Sequence, residues 1–187
     1  MKILFLINIY NESEEAIIST VQSVLCQQNI AKENIYLVLK FDRDRVINFD
    51  DLEIPKNVDL IIEKSSFGDG LTKSINMMLK KYHFCSVFFR QDAGDFSLPF
   101  RVRNSLDLLN SVDSDFISFA SEIRNERGDS LFTKSPFKTR KLTKSDFVDS
   151  NKLIHGSLCG KLSSLQKVGL YRNDVKYAQD YYLYYDI

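Results

Sequence analysis

Carboxylate, amide, lysine and aromatic side chains follow four apolar stretches of the sequence, at the points where the predicted strands end. In an open α/β sheet, ligands bind beyond the carboxyl ends of the strands, so these residues are the first candidates for chemistry. Together they suit a nucleotide, with an aromatic ring for the base, acids for a ribose or a metal, and a cation for phosphate. In chain order they are Tyr10, Asn11 and Glu12, then Asp42 and Asp44, then Lys64 with the turn at residues 68–70, then Asp92 and Asp95.

The segment Asp92-Ala93-Gly94-Asp95 is the most informative of these groups. Carboxylates directly after a buried strand are well placed to hold a hard divalent cation, which takes oxygen ligands and shares them with phosphates. The alternative is an ordinary turn, because Asp and Gly also end strands and begin helices. On spacing alone a turn is the commoner outcome for so short an acidic motif. His155 leaves a similar choice between a ligand contact and a structural hydrogen bond.

The order of the apolar stretches predicts an α/β fold. Up to residue 110, strand-like runs alternate with segments whose apolar residues recur at helical spacing, which indicates a mostly parallel sheet with helices on both faces. Later residues suggest a hairpin around 125–129, a basic loop at 134–144 and a last helix at 180–187. No repeat or linker interrupts the chain, so we predict one domain, residues 1–187. The predicted strands run from Ile3 to Ile9, Ile35 to Phe41, Val58 to Ile62 and Cys85 to Phe89.

Composition excludes several classes of protein. The 187 residues contain 25 Lys plus Arg and 25 Asp plus Glu, and this zero formal charge argues against electrostatic nucleic-acid binding. No apolar run approaches the ~20 residues that span a bilayer, which predicts a cytoplasmic protein without a transmembrane segment. Cys26, Cys85 and Cys159 are scattered and predict reduced core thiols, and with only two histidines a Cys/His zinc site is not expected.

Five motifs in the same order make the whole chain resemble the family 2 glycosyltransferases of the GT-A fold. Residues 8–12, Asn-Ile-Tyr-Asn-Glu, are similar to the family's Pro-x-Tyr-Asn-Glu, and residues 23–27 to the Ser-Val-Leu-x-Gln helix end. Residues 70–76 resemble the Gly-Leu-x-x-Ala-x-Asn helix. Residues 90–101 resemble Arg-Met-Asp-Ala-Asp-Asp-x-Ser-x-Pro-x-Arg, the stretch that carries the metal-binding acids. Residues 168–171 and 177–181 resemble the late Val-Gly-Gly-Tyr and Ala-Glu-Asp-Tyr motifs.

The resemblance implies a three-layer GT-A sandwich, with residues 1–110 as the nucleotide-binding half and 111–187 as the acceptor-side half. It implies inverting transfer of a sugar from a nucleoside diphosphate donor, first of all a UDP-sugar, to a saccharide or lipid-linked acceptor. Mg²⁺ or Mn²⁺ would lie at Asp92 and Asp95, and Asp180 would be the general base that deprotonates the acceptor hydroxyl. The residues implied at the donor are Tyr10, Asn11, Glu12, Asp42, Lys73, Asn76, Asp92 and Arg101.

The sequence departs from the family pattern at acidic positions. Gly94 replaces the second acid of the metal motif, and Leu39 and Lys40 replace the acidic pair after the second strand in an alignment without a gap. Two alternatives to an active transferase therefore stay open. One is a catalytically impaired GT-A-like subunit that binds a nucleotide or a partner. The other is a nucleotidyltransferase, against which we find no Gly-rich basic phosphate loop near the N-terminus.

The sequence ends while it is still apolar, directly after the predicted base. Family members usually continue beyond this helix with segments on the acceptor side or at a membrane. We therefore expect a donor-binding core for surface polysaccharide or glycolipid synthesis, cytoplasmic or peripheral to the inner membrane face. Its last helix would be covered by further chain, a partner subunit or a second copy. The apolar residues concerned are Tyr181, Tyr182, Leu183, Tyr184, Tyr185 and Ile187.

Overall fold

A central six-stranded sheet organises the computed structural model, which describes residues 1–65, 70–125, 127–134, 139–175 and 177–187. The strands are β1 (Lys2–Ile9), β2 (Asn34–Phe41), β3 (Val58–Lys64), β4 (Val87–Asp92), β5 (Phe116–Ile117), β6 (Ser121–Arg124), β7 (Ser130–Lys134) and β8 (Cys159–Lys161). The sheet has the order β3-β2-β1-β4-β8-β5. Strands β1 to β4 are parallel, and β8 runs antiparallel to β4 and β5.

Helices cover both faces of this sheet, as the sequence predicts for an α/β fold. They are α1 (Glu14–Leu25), α2 (Leu71–Lys81), α3 (Arg101–Ser111), α4 (Leu162–Lys167) and α5 (Gln179–Asp186). Helices α1 and α3 share one apolar cluster with Ile3 and Phe5 of β1, whereas α2, α4 and α5 share another with Leu4 and Leu6. Alternate side chains of a strand point to opposite faces, so β1 contributes to both clusters. The result is a three-layer sandwich.

Strand β4 extends further than its apolar residues indicate. The sequence predicts that this strand ends at Phe89, but it continues through Arg90 and Gln91 to Asp92. These polar side chains are tolerated because Arg90 and Gln91 are each 1% exposed and find hydrogen-bond partners inside the fold. Asp92 is therefore the last residue of the strand, not a residue of the following turn.

The later part of the chain differs most from its sequence prediction. The predicted hairpin is present as β6 and β7, which pair only with each other, but Phe116 and Ile117 belong to the main sheet. Strand β8 has only three residues and was not predicted, because its pairing partners on β4 and β5 are distant in sequence. Of the predicted basic loop, residues 135–138 lie outside the described part, as do residues 68 and 69 of the turn before α2.

Two further sequence expectations concern cysteines and membranes. Cys85 and Cys159 are buried free thiols, as expected for the core, but Cys26 is exposed directly after α1. Burial raises the pKa of the Cys85 and Cys159 thiols to about 11 each, so both stay protonated near neutral pH. Among the described residues, every helix is too short or too polar to cross a bilayer.

The last helix is packed on one side and open on the other. Leu183 is fully buried and Tyr184 is 2% exposed, and both belong to the cluster that also contains α2 and Phe147. Tyr182 and Tyr185 remain 41% and 46% exposed. Helix α5 therefore forms part of the core while keeping an exposed aromatic face.

Replacing Leu183 with Ala should lower the free energy of unfolding by about 2–4 kcal/mol, because it removes a fully buried side chain from the α5 interface. Chemical denaturation monitored by circular dichroism measures this change. The control is Tyr185→Ala on the same helix, which should cost less than about 1.5 kcal/mol because the side chain is half exposed. Equal effects of the two changes would contradict the packing of α5.

Candidate functional site

The carboxyl ends of β1, β2 and β4 place several predicted site residues at one edge of the sheet. Asn8 of β1 lies opposite Lys40 on one side and Asp92 on the other, and Ile9 lies opposite Phe41. Tyr10 and Asp42 therefore follow neighbouring strands, two positions beyond the level of Asp92. Ligands of open α/β sheets bind at this edge, where the chain order reverses between strands.

Strand β2 contains the two positions, Leu39 and Lys40, at which the family motif has an acidic pair. Leu39 and Lys40 are buried inside β2, so neither is at the strand's end. Asp42 is the first residue beyond the strand, and its Oδ1 atom is buried without a hydrogen-bond partner among the described residues. A buried acceptor without a partner is costly, and a ligand hydroxyl or N–H group would satisfy it.

Tyr10 and Glu12 form the rim of this edge together with two arginines from the loop after β2. Tyr10 is 51% exposed; its hydroxyl accepts a hydrogen bond from Arg43 at 2.7 Å, and the Arg43 guanidinium lies 4.5 Å from the ring centroid. The Glu12 carboxylate accepts the Tyr10 backbone N–H at 2.7 Å, and its carbonyl accepts from Arg45. Asn11, between them, is exposed. The rim is therefore aromatic and polar, with both signs of charge.

Asp92 is held by a buried arginine of its own strand. The Arg90 side chain is 1% exposed, and its Nη2 donates to Asp92 Oδ1 at 2.6 Å. Its Nη1 donates to the Leu6 carbonyl at 3.1 Å and to Asn8 Oδ1 at 3.2 Å. This arrangement fixes one carboxylate oxygen of Asp92 and leaves the side chain 51% exposed, with Oδ2 directed elsewhere. Charge-assisted bonds of this type are short and strong.

Asp95 brings a second carboxylate to the same place. A tight turn forms as the Asp95 N–H donates to the Asp92 carbonyl at 3.1 Å, and Gly94 takes a φ of +94°, which favours glycine. Burial and the neighbouring Asp92 charge raise the pKa of Asp95, while Arg101 and Arg90 act in the opposite direction. Two carboxylates competing for one small space raise the proton affinity of the more buried one.

The two carboxylates converge beside Gly156. A Cβ atom placed on Gly156 would lie 2.8 Å from Asp95 Oδ2 and 3.1 Å from Asp92 Oδ2. Two carboxylate oxygens around one point suit Mg²⁺ or Mn²⁺, which bind through one or two carboxylates and leave other positions to water and phosphate oxygens. Within the described ranges, no group of three or more His, Cys, Asp or Glu side chains surrounds a common point. The residues present therefore fit a cation that is shared with a diphosphate.

Arg101 is buried near these acids and donates hydrogen bonds to neighbouring protein groups. Its guanidinium donates to Gln91 Oε1 at 2.7 Å, to Ser97 Oγ at 2.9 Å and to the carbonyls of Arg90 and Gly156 at 2.7 and 2.9 Å. Burial lowers the pKa of Arg101 to about 10, so the side chain remains charged at neutral pH. The resemblance implies a donor contact for Arg101. In the structure its hydrogen bonds hold together the residues around the Asp92–Asp95 turn.

Asn76 is likewise turned toward the protein. Its Nδ2 donates to the Tyr171 carbonyl at 2.7 Å, and its Oδ1 accepts the Tyr171 N–H at 3.0 Å. This reciprocal pair joins α2 to the segment that leads into α5. Lys73, in the first turn of the same helix, is exposed and nearer to solvent.

Asp180 lies in the first turn of α5, the helix that packs with α2 and α4. The Asp180 Oδ2 atom accepts a hydrogen bond from Asn151 Nδ2 at 2.8 Å. Burial raises the pKa values of Tyr171 and Tyr184, and the charges of both Asp180 and Asp92 add to this effect. Both acids therefore influence the same pair of buried phenols.

The segment 151–157 carries functional candidates that sequence reasoning missed. Asn151 has no local signal in the sequence, because its partner Asp180 is 29 positions away. Gly156 belongs to none of the sequence motifs, because the acids it approaches are more than 60 positions away. The His155 Nε2 atom lies 2.8 Å from the Tyr171 hydroxyl, which supports a structural hydrogen bond. Burial, followed by the charge of Arg90, lowers the pKa of His155 well below its usual range.

A cavity of about 430 Å³ lies elsewhere, where β4 begins. Its lining includes Cys85, Val87, Leu106 and Lys161. Val87 and Asp92 are the two ends of β4, and a six-residue strand is roughly 16 Å long. This cavity is therefore separate from the edge of the sheet that carries Asp92 and Asp95, called the acidic edge below.

The low pKa of His155 predicts a specific pH dependence. As pH falls below about 6.5, the unfolded chain takes up the proton first, so His155 should make stability decrease with falling pH. In a His83→Gln variant only His155 remains, and its imidazole NMR signals should stay those of the neutral ring from pH 8 to pH 6. The His155→Gln change should flatten the fall in unfolding free energy between pH 6.5 and 5. A midpoint of titration at or above pH 6.5 in the folded protein would contradict this assignment.

Comparisons with known proteins agree with this architecture. No protein-family model matches the sequence, and a search of curated proteins finds no match. S. aureus TarS 1-349 in complex with UDP superposes with a TM-score of 0.72 at 16% identity, over 98% of this chain and 54% of that chain. Its complex with UDP-GlcNAc gives 0.70 at 16%, over 98% and 52%. The mannosyltransferase PcManGT from Pyrobaculum calidifontis, in complex with GDP-Man and Mn²⁺, gives 0.62 at 13%, over 97% and 50%.

This chain spans about half the length of these solved structures. At so low an identity the likeness concerns the fold. The mostly parallel central sheet with helices on both faces confirms the three-layer GT-A architecture that the motif resemblance implied. The chain has the GT-A fold of the glycosyltransferases.

Proposed function

We propose that this chain transfers a sugar from a nucleoside diphosphate donor to an acceptor hydroxyl, with inversion at the anomeric carbon. The observation that carries the proposal is the convergence of Asp92 Oδ2 and Asp95 Oδ2 beside Gly156. This point lies at the edge where β1 and β2 also end, and the Asp180 charge acts on the same buried phenols as the Asp92 charge. The GT-A fold, which the chain shares with structures that contain UDP, UDP-GlcNAc and GDP-Man, supports a nucleotide-sugar donor.

The nucleoside would lie against Tyr10, Asn11, Glu12 and Asp42. Tyr10 offers an exposed ring for the base, and Asp42 Oδ1 offers a buried acceptor that lacks a partner. Such an acceptor suits a ribose hydroxyl or a base N–H group. We propose a UDP-sugar as the first donor to test and a GDP-sugar as the second.

The diphosphate would lie between Lys73 and the acidic pair Asp92 and Asp95. Mg²⁺ or Mn²⁺ bound by these two acids supplies positive charge to a diphosphate leaving group. Arg101 and Asn76 act in this scheme as positioning residues, because both Nη atoms of Arg101 and the side-chain amide of Asn76 are hydrogen-bonded to protein groups. Asn8 and Arg90 keep Asp92 directed toward the ligand edge.

Asp180 is the group that we propose as the base. Its carboxylate accepts the proton of the acceptor hydroxyl as that oxygen forms a bond to the anomeric carbon. The bond between the anomeric carbon and the terminal phosphate oxygen breaks, and the nucleoside diphosphate leaves. A single displacement of this type inverts the anomeric configuration. Asn151 would orient the Asp180 carboxylate by donating to Oδ2 at 2.8 Å.

The acceptor that we propose is a saccharide or lipid-linked hydroxyl in surface polysaccharide or glycolipid synthesis, at the inner membrane face. The exposed Tyr182 and Tyr185 of α5 would contact an acceptor-side segment, a partner subunit or a second copy. This chain has Gly94 where the family motif has an acid. A second candidate function is therefore a subunit that binds the donor without transferring the sugar.

UDP should bind this chain, and Mn²⁺ should strengthen that binding. Isothermal titration with UDP, UDP-GlcNAc and GDP-mannose, each with and without Mn²⁺, measures both effects. Asp92→Asn should remove the Mn²⁺ enhancement and cost at least about tenfold in affinity, which is about 1.4 kcal/mol. The control is Asp107→Asn on α3, whose exposed carboxylate pairs with Arg103 far from the acidic turn. If no nucleotide binds under any condition, the proposed function is wrong.

Replacing Asp180 with Asn should lower sugar transfer, or donor hydrolysis in the absence of an acceptor, by at least about 100-fold. Donor affinity should change little, because Asp180 is proposed to contact the acceptor. Release of nucleoside diphosphate from the donor measures the rate, and Asp186→Asn at the end of the same helix is the control.

An unchanged rate in Asp180→Asn would exclude this residue as the base. Donor binding without turnover in the unaltered chain, over a panel of acceptors, would support the impaired-subunit alternative. Release of pyrophosphate instead of nucleoside diphosphate would indicate nucleotidyl transfer.

A further inference from the structure

Among the described glycines, Gly156 is the one at which a side chain would reach both proposed metal acids. Its missing Cβ would lie 2.8 Å from Asp95 Oδ2, 3.1 Å from Asp92 Oδ2 and 3.5 Å from Asp92 Cγ. Distances under 3.0 Å require something to move, so an alanine here would displace at least the Asp95 carboxylate. Gly156 is on the 3₁₀ turn His155–Ser157, far in sequence from the acids.

The backbone does not explain this glycine. The described glycines with positive φ are Gly70, Gly94, Gly128 and Gly169, and Gly156 is not among them. An alanine would therefore be accepted by the backbone conformation at this position. Glycine is needed here because the two carboxylates occupy the space that a Cβ atom would take.

Buried arginines hold Asp92 on one side of this contact and the Gly156 carbonyl on the other. Arg90, which is 1% exposed, holds Asp92 through Oδ1 at 2.6 Å. Arg101 holds the Gly156 carbonyl at 2.9 Å and also bonds the β4 end and Ser97. The Asp95 carboxylate, at the end of its side chain, is therefore the group that an alanine would displace. Ser157 adds further bonds, since its Oγ donates to the Phe119 carbonyl at 2.9 Å and accepts the Phe119 N–H at 3.0 Å.

We propose that Gly156 is a specificity-determining position of the acidic edge, because its lack of a side chain lets Asp92 and Asp95 share one divalent cation. The inference rests on the proposed function, which places Mg²⁺ or Mn²⁺ at these acids, and it adds the element that sets their separation. Gly156 itself contacts no reacting atom and acts as a positioning residue. Any side chain at this position would push the carboxylates apart and fill the space that the cation and its phosphate ligands need.

Gly156→Ala should weaken Mn²⁺ binding at least tenfold, measured by the electron paramagnetic resonance signal of free Mn²⁺ with and without UDP. The same measurement requires no catalysis. The control is Gly128→Ala in the β6–β7 turn, where a Cβ would meet nothing within 4 Å but the φ of +85° is strained by a side chain, so it measures the effect of backbone strain outside the carboxylates. Mn²⁺ affinity in the control should stay within threefold of the unaltered chain. Wild-type affinity in Gly156→Ala, or an equal loss in Gly128→Ala, would overturn the proposal.

A second measurement tests whether the effect passes through Asp95. In the absence of metal, Gly156→Ala should lower the melting temperature, and this loss should shrink by at least half when Asp95→Ala is also present, because the nearest contact is then removed. Equal losses in the two backgrounds would refute the contact. If Gly156→Ala alone does not fold, recovery of folding by Asp95→Ala supports the proposal and failure to recover contradicts it.

Failure of the Gly156 proposal can be told apart from failure of the proposed function. Tight UDP binding without any Mn²⁺ binding would overturn the role of Gly156 while leaving the donor site in place. If neither UDP nor Mn²⁺ binds, the proposed function is wrong as well.

Discussion

A buried guanidinium connects the three segments that form the acidic edge. Arg101, at the start of α3, donates to the end of β4, to Ser97 in the following loop and to the Gly156 carbonyl. Burial lowers its pKa only to about 10, so it keeps a positive charge beneath Asp92 and Asp95 at neutral pH. Because buried charges are stable only when they are paired and hydrogen-bonded, these segments depend on one another for their positions.

Charge balance follows from the same arrangement. Arg90 and Arg101 supply two positive charges below the turn, and Asp92 and Asp95 supply two negative charges above it. The balance is uneven in space, because Arg90 bonds Asp92 directly whereas Asp95 is more buried and has a raised pKa. The raised pKa of Asp95 means that the two arginines do not fully offset its burial and the Asp92 charge. The divalent cation of the proposed function would add positive charge at this carboxylate.

The sequence was sufficient for the layers, since they follow from the apolar runs, whereas the site at the strand ends stays a prediction from the rule that ligands bind there. It was insufficient where polar residues are buried by distant partners. The apolar residues predict that β4 ends at Phe89, but the strand continues to Asp92, because Arg90 and Gln91 find hydrogen-bond partners in β1 and the Asp95 turn. Arg101 and Asn76 matched the motifs, but only the fold shows that their donors bind protein.

The short strand β8 explains why Gly156 and Asn151 have no recognisable signal in the sequence. Phe89 pairs with Cys159, and the Arg90 N–H donates to the Leu158 carbonyl at 2.8 Å, so the segment just before β8 runs antiparallel along the end of β4. In such a pair a shift of one residue reverses which side chains face each layer. A shift would replace Gly156 by His155 or Ser157 beside the carboxylates, and both carry a Cβ atom. The register of a three-residue strand thus decides whether the second half of the chain completes the acidic edge or blocks it.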